Sequence, residues 1–287
     1  MKYKHFKQAL LFKVGSLLEY MLNRIYHYTS VDTLEKILRS QAIRFNRLDC
    51  VDDVQECSVS SYAKYVFISC WTESEEENIP LWKMYTNDVT QGVRISLPRD
   101  MFKTYPVISS KYLKSQMTKD IIPEVVQEQA DYFVVPVDFE NDEKYENFFR
   151  HVEYVRNPNI AVGDIASKTT NGYNTLAINR LGRYKSKCWE FQNEVRFVLT
   201  IFPFNPMKIA SLPNAQELVA EVFTKMKELP FNDYFLHLKS EILDNLVVTL
   251  SPNISDINRQ RVESIINKYA PGTIVKESCF LGKVNLK

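Results

Sequence analysis

The sequence predicts an α+β fold: a mixed, mainly antiparallel sheet, or two packed sheets, with helices around it. Three observations carry this. Lys64–Trp71, Gly92–Leu97 and Leu246–Leu250 are short runs rich in β-branched and aromatic residues, the pattern of strands. Val31, Leu34, Ile37 and Leu38 recur at helical spacing directly after another such run. From Trp189 to Thr200 the residues alternate as on a half-buried strand. Trp189, Phe191, Val195, Phe197 and Leu199 fall on one face, and Glu190, Gln192, Glu194 and Arg196 on the other.

In chain order, Met1–Lys7 is basic and Ala9–Phe12 apolar, but Lys13 breaks the run and no cleavage site follows, so a signal peptide is not expected. Leu10, Leu11, Val14, Leu17, Leu18 and Met21 have helical spacing instead. Arg24–Thr29 reads as a strand running into a helix capped by Thr29 with Asp32, or by Ser30. Asp52, Asp53 and Glu56 form an acidic loop or helix start, read as caps in preference to a metal cluster. The strand 64–71 ends in a Glu-rich turn, read as a solvated loop. Leu81–Tyr85 reads as a short helix beginning near Pro80, with Trp82 and Tyr85 on one face, either as core anchors or as a stacking wall.

Residues 101–171 are less regular. A helix beyond Pro123, a strand over Phe133–Phe139 and a helix within Glu140–Tyr154 are the expectations there. The basic run Arg183, Lys185, Lys187 leads into the 189–200 strand. A helix over Ala215–Leu229, the strand 246–250, a helix capped by Ser255 and a last strand from Thr273 complete the chain. This organisation is read as one domain over 1–287: an N-terminal helix in 1–23, a core from 24–100 and 172–287, and an insertion or cap over 101–171.

Composition narrows the function classes. Thirty-six Lys+Arg against thirty-five Asp+Glu give a formal net charge of +1, so no global field points to nucleic acid or membrane. No run reaches membrane-spanning length. Seven glycines include neither Gly-x-Gly-x-x-Gly nor a P-loop. Five cysteines without Cys-x-x-Cys fit a reducing cytoplasm, and four scattered histidines give no support to a zinc site.

Taken in order, the landmarks Tyr26-His27-Tyr28-Thr29, Asp52-Asp53-Val54-Gln55-Glu56, Ser69-Cys70-Trp71, Leu81-Trp82-Lys83-Met84-Tyr85 and Trp189 to Arg196 resemble the bacterial and phage domain-of-unknown-function family 2971. The likeness spans roughly residues 24–280. That family is in turn similar to the ADP-ribosyltransferase fold. The resemblance implies an ADP-ribosyltransferase-like core, NAD as substrate, and an unknown protein or nucleic-acid acceptor. It also implies a cytoplasmic role in phage defence or as a toxin. His27 would match the first-strand histidine, and Gln192-Asn193-Glu194 the Gln-x-Glu element. Either Tyr85 or Ser69 would fill the middle position. The nucleotide-facing set would be His27, Tyr28, Ser69, Trp82, Tyr85 and Arg196, with no metal.

The chemistry suits those types. Cleavage of the nicotinamide–ribose bond builds positive charge on the ribose, and a carboxylate near the 2′-hydroxyl offsets it. Glu194 is that acid, Gln192 an amide for orienting an acceptor, His27 a partner for a ribose hydroxyl, and Tyr85 or Trp82 a surface for the nicotinamide ring. Arg196 would pair with an acid or reach the pyrophosphate. Two other readings stand beside this one. A metal-dependent nuclease would gather Asp52, Asp53, Glu190 and Glu194. A binding module would keep the nucleotide site and lose turnover.

Overall fold

The computed structural model describes residues 23–58, 60–106, 120–122, 130–137, 146–168, 174–210 and 212–286. The expected helix over Leu10–Met21, most of the stretch beyond Pro123 and residues 138–145 lie outside them. In chain order the elements are β1 (Arg24–Ser30), α1 (Val31–Ser40), β2 (Ala42–Arg47), α2 (Val54–Cys57), β3 (Val66–Thr72), α3 (Ile79–Tyr85) and β4 (Gly92–Pro98). There follow β5 (Phe133–Val134), β6 (Phe149–His151), β7 (Glu153–Val155), α4 (Pro158–Val162), β8 (Ala166–Lys168), β9 (Asn174–Leu176), β10 (Tyr184–Ser186) and β11 (Glu194–Phe202). The chain continues with α5 (Pro206–Ile209), α6 (Ala215–Thr224), β12 (Asp233–His237), β13 (Val247–Leu250), α7 (Asp256–Tyr269) and β14 (Ile274–Lys276). The fold is mixed α+β, and its strand pairing is mainly antiparallel.

The chain divides into two compact units. Unit 1 takes residues 1–40, 71–101 and 239–287, and unit 2 takes 41–70 and 102–238.

In unit 1, β1 and β4 pair antiparallel over their full length, Arg24 opposite Pro98 through Ser30 opposite Gly92. β13 adds antiparallel to β4, and β14 adds parallel to β13. Tyr26 also faces Thr72 at the end of β3. Alternation along β1 puts Ile25, His27 and Thr29 on one face and Arg24, Tyr26 and Tyr28 on the other. Ser30 caps α1, accepting from the Thr33 amide at 3.2 Å, so of the two candidate caps the serine closes the helix. Asp32 pairs with Arg261 of α7 instead, at 2.5 Å. Asn78 caps α3, with Pro80 in its first turn. Trp82 is 0 % exposed and meets Tyr28 edge-on, ring centroids 4.8 Å apart, in a cluster with Leu81 and Leu286. It is a core anchor, and a buried indole cannot serve as a stacking wall.

In unit 2, β2 lies between β12 and the Phe67–Ile68 segment of β3. β11 pairs with β3, β5 and β6. Two small ribbons, β7–β10 parallel and β8–β9 antiparallel, stand apart from that sheet. One core gathers Leu48, Val66, Ile68, Val162, Leu181 and Val198. A second is aromatic: Phe102 meets Phe197 edge-on at 4.8 Å, and Phe148, Phe149 and Phe45 surround them.

Three expectations are corrected here. The helix expected within Glu140–Tyr154 is replaced, over its described part, by β6 and β7. Phe148 and Phe149 are drawn into the aromatic core, and β6 takes up pairing with β11. The helix over 215–229 stops at Thr224, just before Met226 at φ 48, a left-handed residue that ends a helix. The strand over Trp189–Thr200 begins only at Glu194. Lys187–Gln192 is a 3₁₀ turn, closed by Asn193 at φ 43, ψ 55. Asparagine tolerates that left-handed conformation better than most residues. Phe191 is accordingly 39 % exposed, while Gln192, Glu194 and Arg196 are buried.

Within unit 1, Glu77 ties α3 to the C-terminal segment. Its carboxylate accepts from Trp82 Nε1 at 2.9 Å, Ser278 Oγ at 2.6 Å and the Cys279 amide at 2.7 Å. Removing a charged acceptor strands three donors at once. Glu77→Ala is therefore expected to cost roughly 2–3 kcal/mol in urea denaturation. A change below about 0.5 kcal/mol would show that water replaces the carboxylate without loss.

Candidate functional site

The residues singled out from the sequence fall on both units. His27, Tyr28, Trp82 and Tyr85 belong to unit 1. Ser69, Gln192, Glu194 and Arg196 belong to unit 2. In unit 1, His27 is half-buried and stands beside Trp71, ring centroids 5.2 Å apart. Tyr28 points from the opposite face of β1, where its hydroxyl accepts from the Asn78 amide at 2.8 Å. The Tyr-His-Tyr motif therefore delivers its imidazole and its phenols to different sides of one sheet. Tyr85 is half-buried against the Trp82 cluster.

Unit 2 assembles a buried ionic network. Glu194 opens β11 and is 5 % exposed. Its Oε1 accepts from Arg196 Nε at 2.6 Å, and its Oε2 from Lys185 Nζ at 2.8 Å. The same Lys185 nitrogen donates to Gln192 Oε1 at 2.7 Å. The far end of the Arg196 guanidinium forks onto Glu56: Nη2 meets Oε2 at 2.9 Å, and Nη1 pairs with Oε1 and with the Gly182 carbonyl at 3.2 Å. Gly182, at φ +73, adopts a turn that favours glycine. The Tyr154 hydroxyl accepts from the Glu194 amide at 2.8 Å. Two acids and two bases are thus matched within one interior.

The electrostatics follow from that matching. Burial alone would push the Glu194 carboxyl up; the charges of Arg196 and Lys185 outweigh it and hold it at about 2. Burial pushes the Tyr154 phenol up to about 12, with the Glu194 charge adding to it. Burial, then the Glu194 charge, raises the Cys70 thiol well above its ordinary range, so Cys70 is no thiolate nucleophile. Glu194 is ionised at any physiological pH and cannot act as a proton donor.

The Gln-x-Glu pair does not sit on one strand face. Asn193 turns the chain between Gln192 and Glu194, and both side chains nonetheless converge on Lys185. Sequence reasoning missed Lys185, Tyr154 and Glu56 as members. The basic run at 183–187 was the available signal for Lys185. Glu56 reads in the sequence as part of an acidic helix cap; its pairing with Arg196 carried no signal, because the two lie 140 residues apart. Asp53 caps α2 by accepting from the Gln55 amide at 2.9 Å. Asp52 and Glu190 are exposed. Among the described residues, no group of three or more His, Cys, Asp or Glu side chains is placed to hold a metal ion. Nor is any of their helices long and apolar enough to cross a membrane.

No family model, no curated protein and no solved structure matches this chain. The resemblance to the domain-of-unknown-function family stays an expectation drawn from the motifs quoted above, and no comparison supports it.

Cutting one member out of a buried ion network leaves its partners uncompensated. Glu194→Gln is expected to lose roughly 3–5 kcal/mol of stability. The pH dependence has a definite sign. A carboxyl lowered in the folded state contributes stability that is complete above its ordinary pKa of 4.5 and is lost as pH falls toward about 2. Across that window the wild type should lose on the order of 3 kcal/mol more than Glu194→Gln, followed by urea midpoints at each pH. Parallel curves for the two proteins would remove Glu194 from the network.

Proposed function

We propose that this protein acts on NAD, cleaving the nicotinamide–ribose bond and passing ADP-ribose to water or to an unknown macromolecular acceptor. The observation that supports this reading is the Gln192-Asn193-Glu194 element. It presents a carboxylate held ionised at about 2, with an amide two residues earlier, both bound to one lysine. A permanent anion is what a ribosyl cation needs as counter-charge, and no proton has to be moved to create it. The Gln192 amide is a poor base, which favours acceptors needing little deprotonation, water or an amide nitrogen among them.

The same geometry states the condition for turnover. Both Glu194 oxygens are occupied, so a ribose hydroxyl must displace one donor. Arg196 is fixed by Glu56 on its other edge. Lys185 is the exchangeable partner: its Nζ also lies 5.0 Å from the Trp189 ring centroid, where a cation–π contact holds it once the carboxylate is released. The occupied oxygens favour a second reading, a module that binds NAD without cleaving it.

A nicotinamide-release assay run beside calorimetry with NAD and ADP-ribose separates the two. The expected result is release by the wild type, reduced about 10²–10³-fold in Glu194→Gln. It is measured at a temperature where circular dichroism shows that variant folded. Binding that Glu194→Gln weakens, without release by the wild type, establishes the module. Neither binding nor release overturns both readings.

A further inference from the structure

Unit 1 contains a buried cation whose surroundings differ from those of Arg196. Arg94 stands on β4 opposite Tyr28 of β1, and Ser96 stands opposite Tyr26, all on the face that also carries Arg24. Arg94 is 6 % exposed. Its guanidinium carbon lies 4.6 Å from the Tyr26 ring centroid and 5.7 Å from that of Tyr28. Nη1 donates to the main-chain carbonyl of Glu75 at 2.8 Å. Nε is sealed from solvent and has no acceptor. Among the described residues no carboxylate pairs with this guanidinium. A second guanidinium, Arg24, sits two residues before Tyr26 and is directed onto Ser96 and the Asn245 carbonyl.

A buried guanidinium is ordinarily matched by an anion, as Arg196 is by Glu56 and Glu194. Aromatic faces offset part of the cost for Arg94, but they leave Nε without an acceptor. The acidic turn nearby does not fill it. Glu77 is committed to Trp82, Ser278 and Cys279. Glu75 reaches Arg94 with its carbonyl, and its own side chain is exposed. The Nε edge of the Arg94 fork offers parallel N–H donors to an anion that carries several oxygens. The group that fits in charge and in number of acceptors is a phosphoryl oxyanion.

We propose that Arg94 anchors a phosphoryl-anion site on the Tyr26/Ser96 face of unit 1. It opens when the Glu75 carbonyl yields its place on the guanidinium. Glu75 then acts as an electrostatic opponent, since its carboxylate stands close enough to raise the Tyr26 phenol, behind burial as the main cause. The site is independent of Glu194 and of the NAD chemistry proposed above.

Calorimetry on the full chain at low salt, with inorganic pyrophosphate, ADP-ribose and adenosine as probes, tests it. Pyrophosphate and ADP-ribose are expected to bind, and adenosine not. Tighter binding of ADP-ribose marks a nucleotide as the source of the phosphoryl group, whereas tighter binding of pyrophosphate marks a free phosphate. Arg94→Lys keeps the charge but loses the fork and should weaken both by roughly tenfold or more. Glu75→Gln should tighten both by a few-fold. Arg259→Gln removes a surface ion pair with Glu277 in the same unit and should change neither. Absence of binding by both phosphorylated probes overturns the proposal. So does binding that Arg94→Lys leaves unchanged, and these two outcomes are read independently of nicotinamide release. Should Arg94→Gln be made and fail to fold, the lysine and Glu75→Gln variants still decide.

Discussion

The constraint on which the interior of unit 2 depends is the cost of burying charge. An isolated carboxylate or guanidinium in a low-dielectric interior is prohibitively unstable, and only matched pairs with satisfied hydrogen bonds are tolerated. Glu56, Arg196, Glu194 and Lys185 meet that requirement as a chain in which each ion shares at least one bond with the next. The chain joins α2, β10 and the start of β11, elements far apart in sequence. It fixes where β11 begins, because Glu194 must leave the 3₁₀ turn in the one direction that reaches both cations. Breaking one link leaves an uncompensated charge on the next, so the network specifies its own geometry.

That network also bears on chemistry. A carboxylate held at about 2 is well suited to stabilising a developing cation and unsuited to proton transfer. Its reactivity toward a ligand is governed by exchange. In the reaction proposed above, a ribose hydroxyl has to displace a protein donor, and the donors differ in how firmly they are held. Arg196 is clamped from two sides by carboxylates. Lys185 is a flexible stem with a carboxylate, an amide and an indole face within reach. A two-sided guanidinium fork and a single ammonium on a longer stem distinguish the two sides of Glu194. In unit 1 the same cost of buried charge is met differently. Arg94 lies against two tyrosine rings and a carbonyl, and the Glu77 carboxylate accepts hydrogen bonds from uncharged groups.

Much of the fold was legible along the chain because it is written locally. The strands at 24–30, 66–72, 92–98 and 247–250 follow from β-branched and aromatic runs, and the caps Ser30, Asp53 and Ser255 from short polar residues before apolar stripes. The local signal failed where a long-range partner outweighed it. Phe148 and Phe149 read as helical, yet an aromatic core and pairing with β11 make Phe149–His151 a strand. The alternation from Trp189 onward read as one strand, yet Asn193 interrupts it. The site was half legible. Glu194, Gln192 and Arg196 were visible as a polar row, whereas Lys185, Glu56 and Tyr154 were not. Arg94 looked like any residue of an alternating strand.

The sequence by itself determined the mixed α+β class, most strands and helices within 24–98 and 246–276, and which titratable residues stand close to one another along the chain. These depend on side-chain periodicity and capping, which act over a few residues. Only the tertiary structure decided which charges meet. Arg196 takes Glu56 across 140 positions, and Arg94 takes no carboxylate at all among the described residues. Partner choice depends on distance and burial in three dimensions, and a buried charge accepts whichever neighbour the packing brings to it.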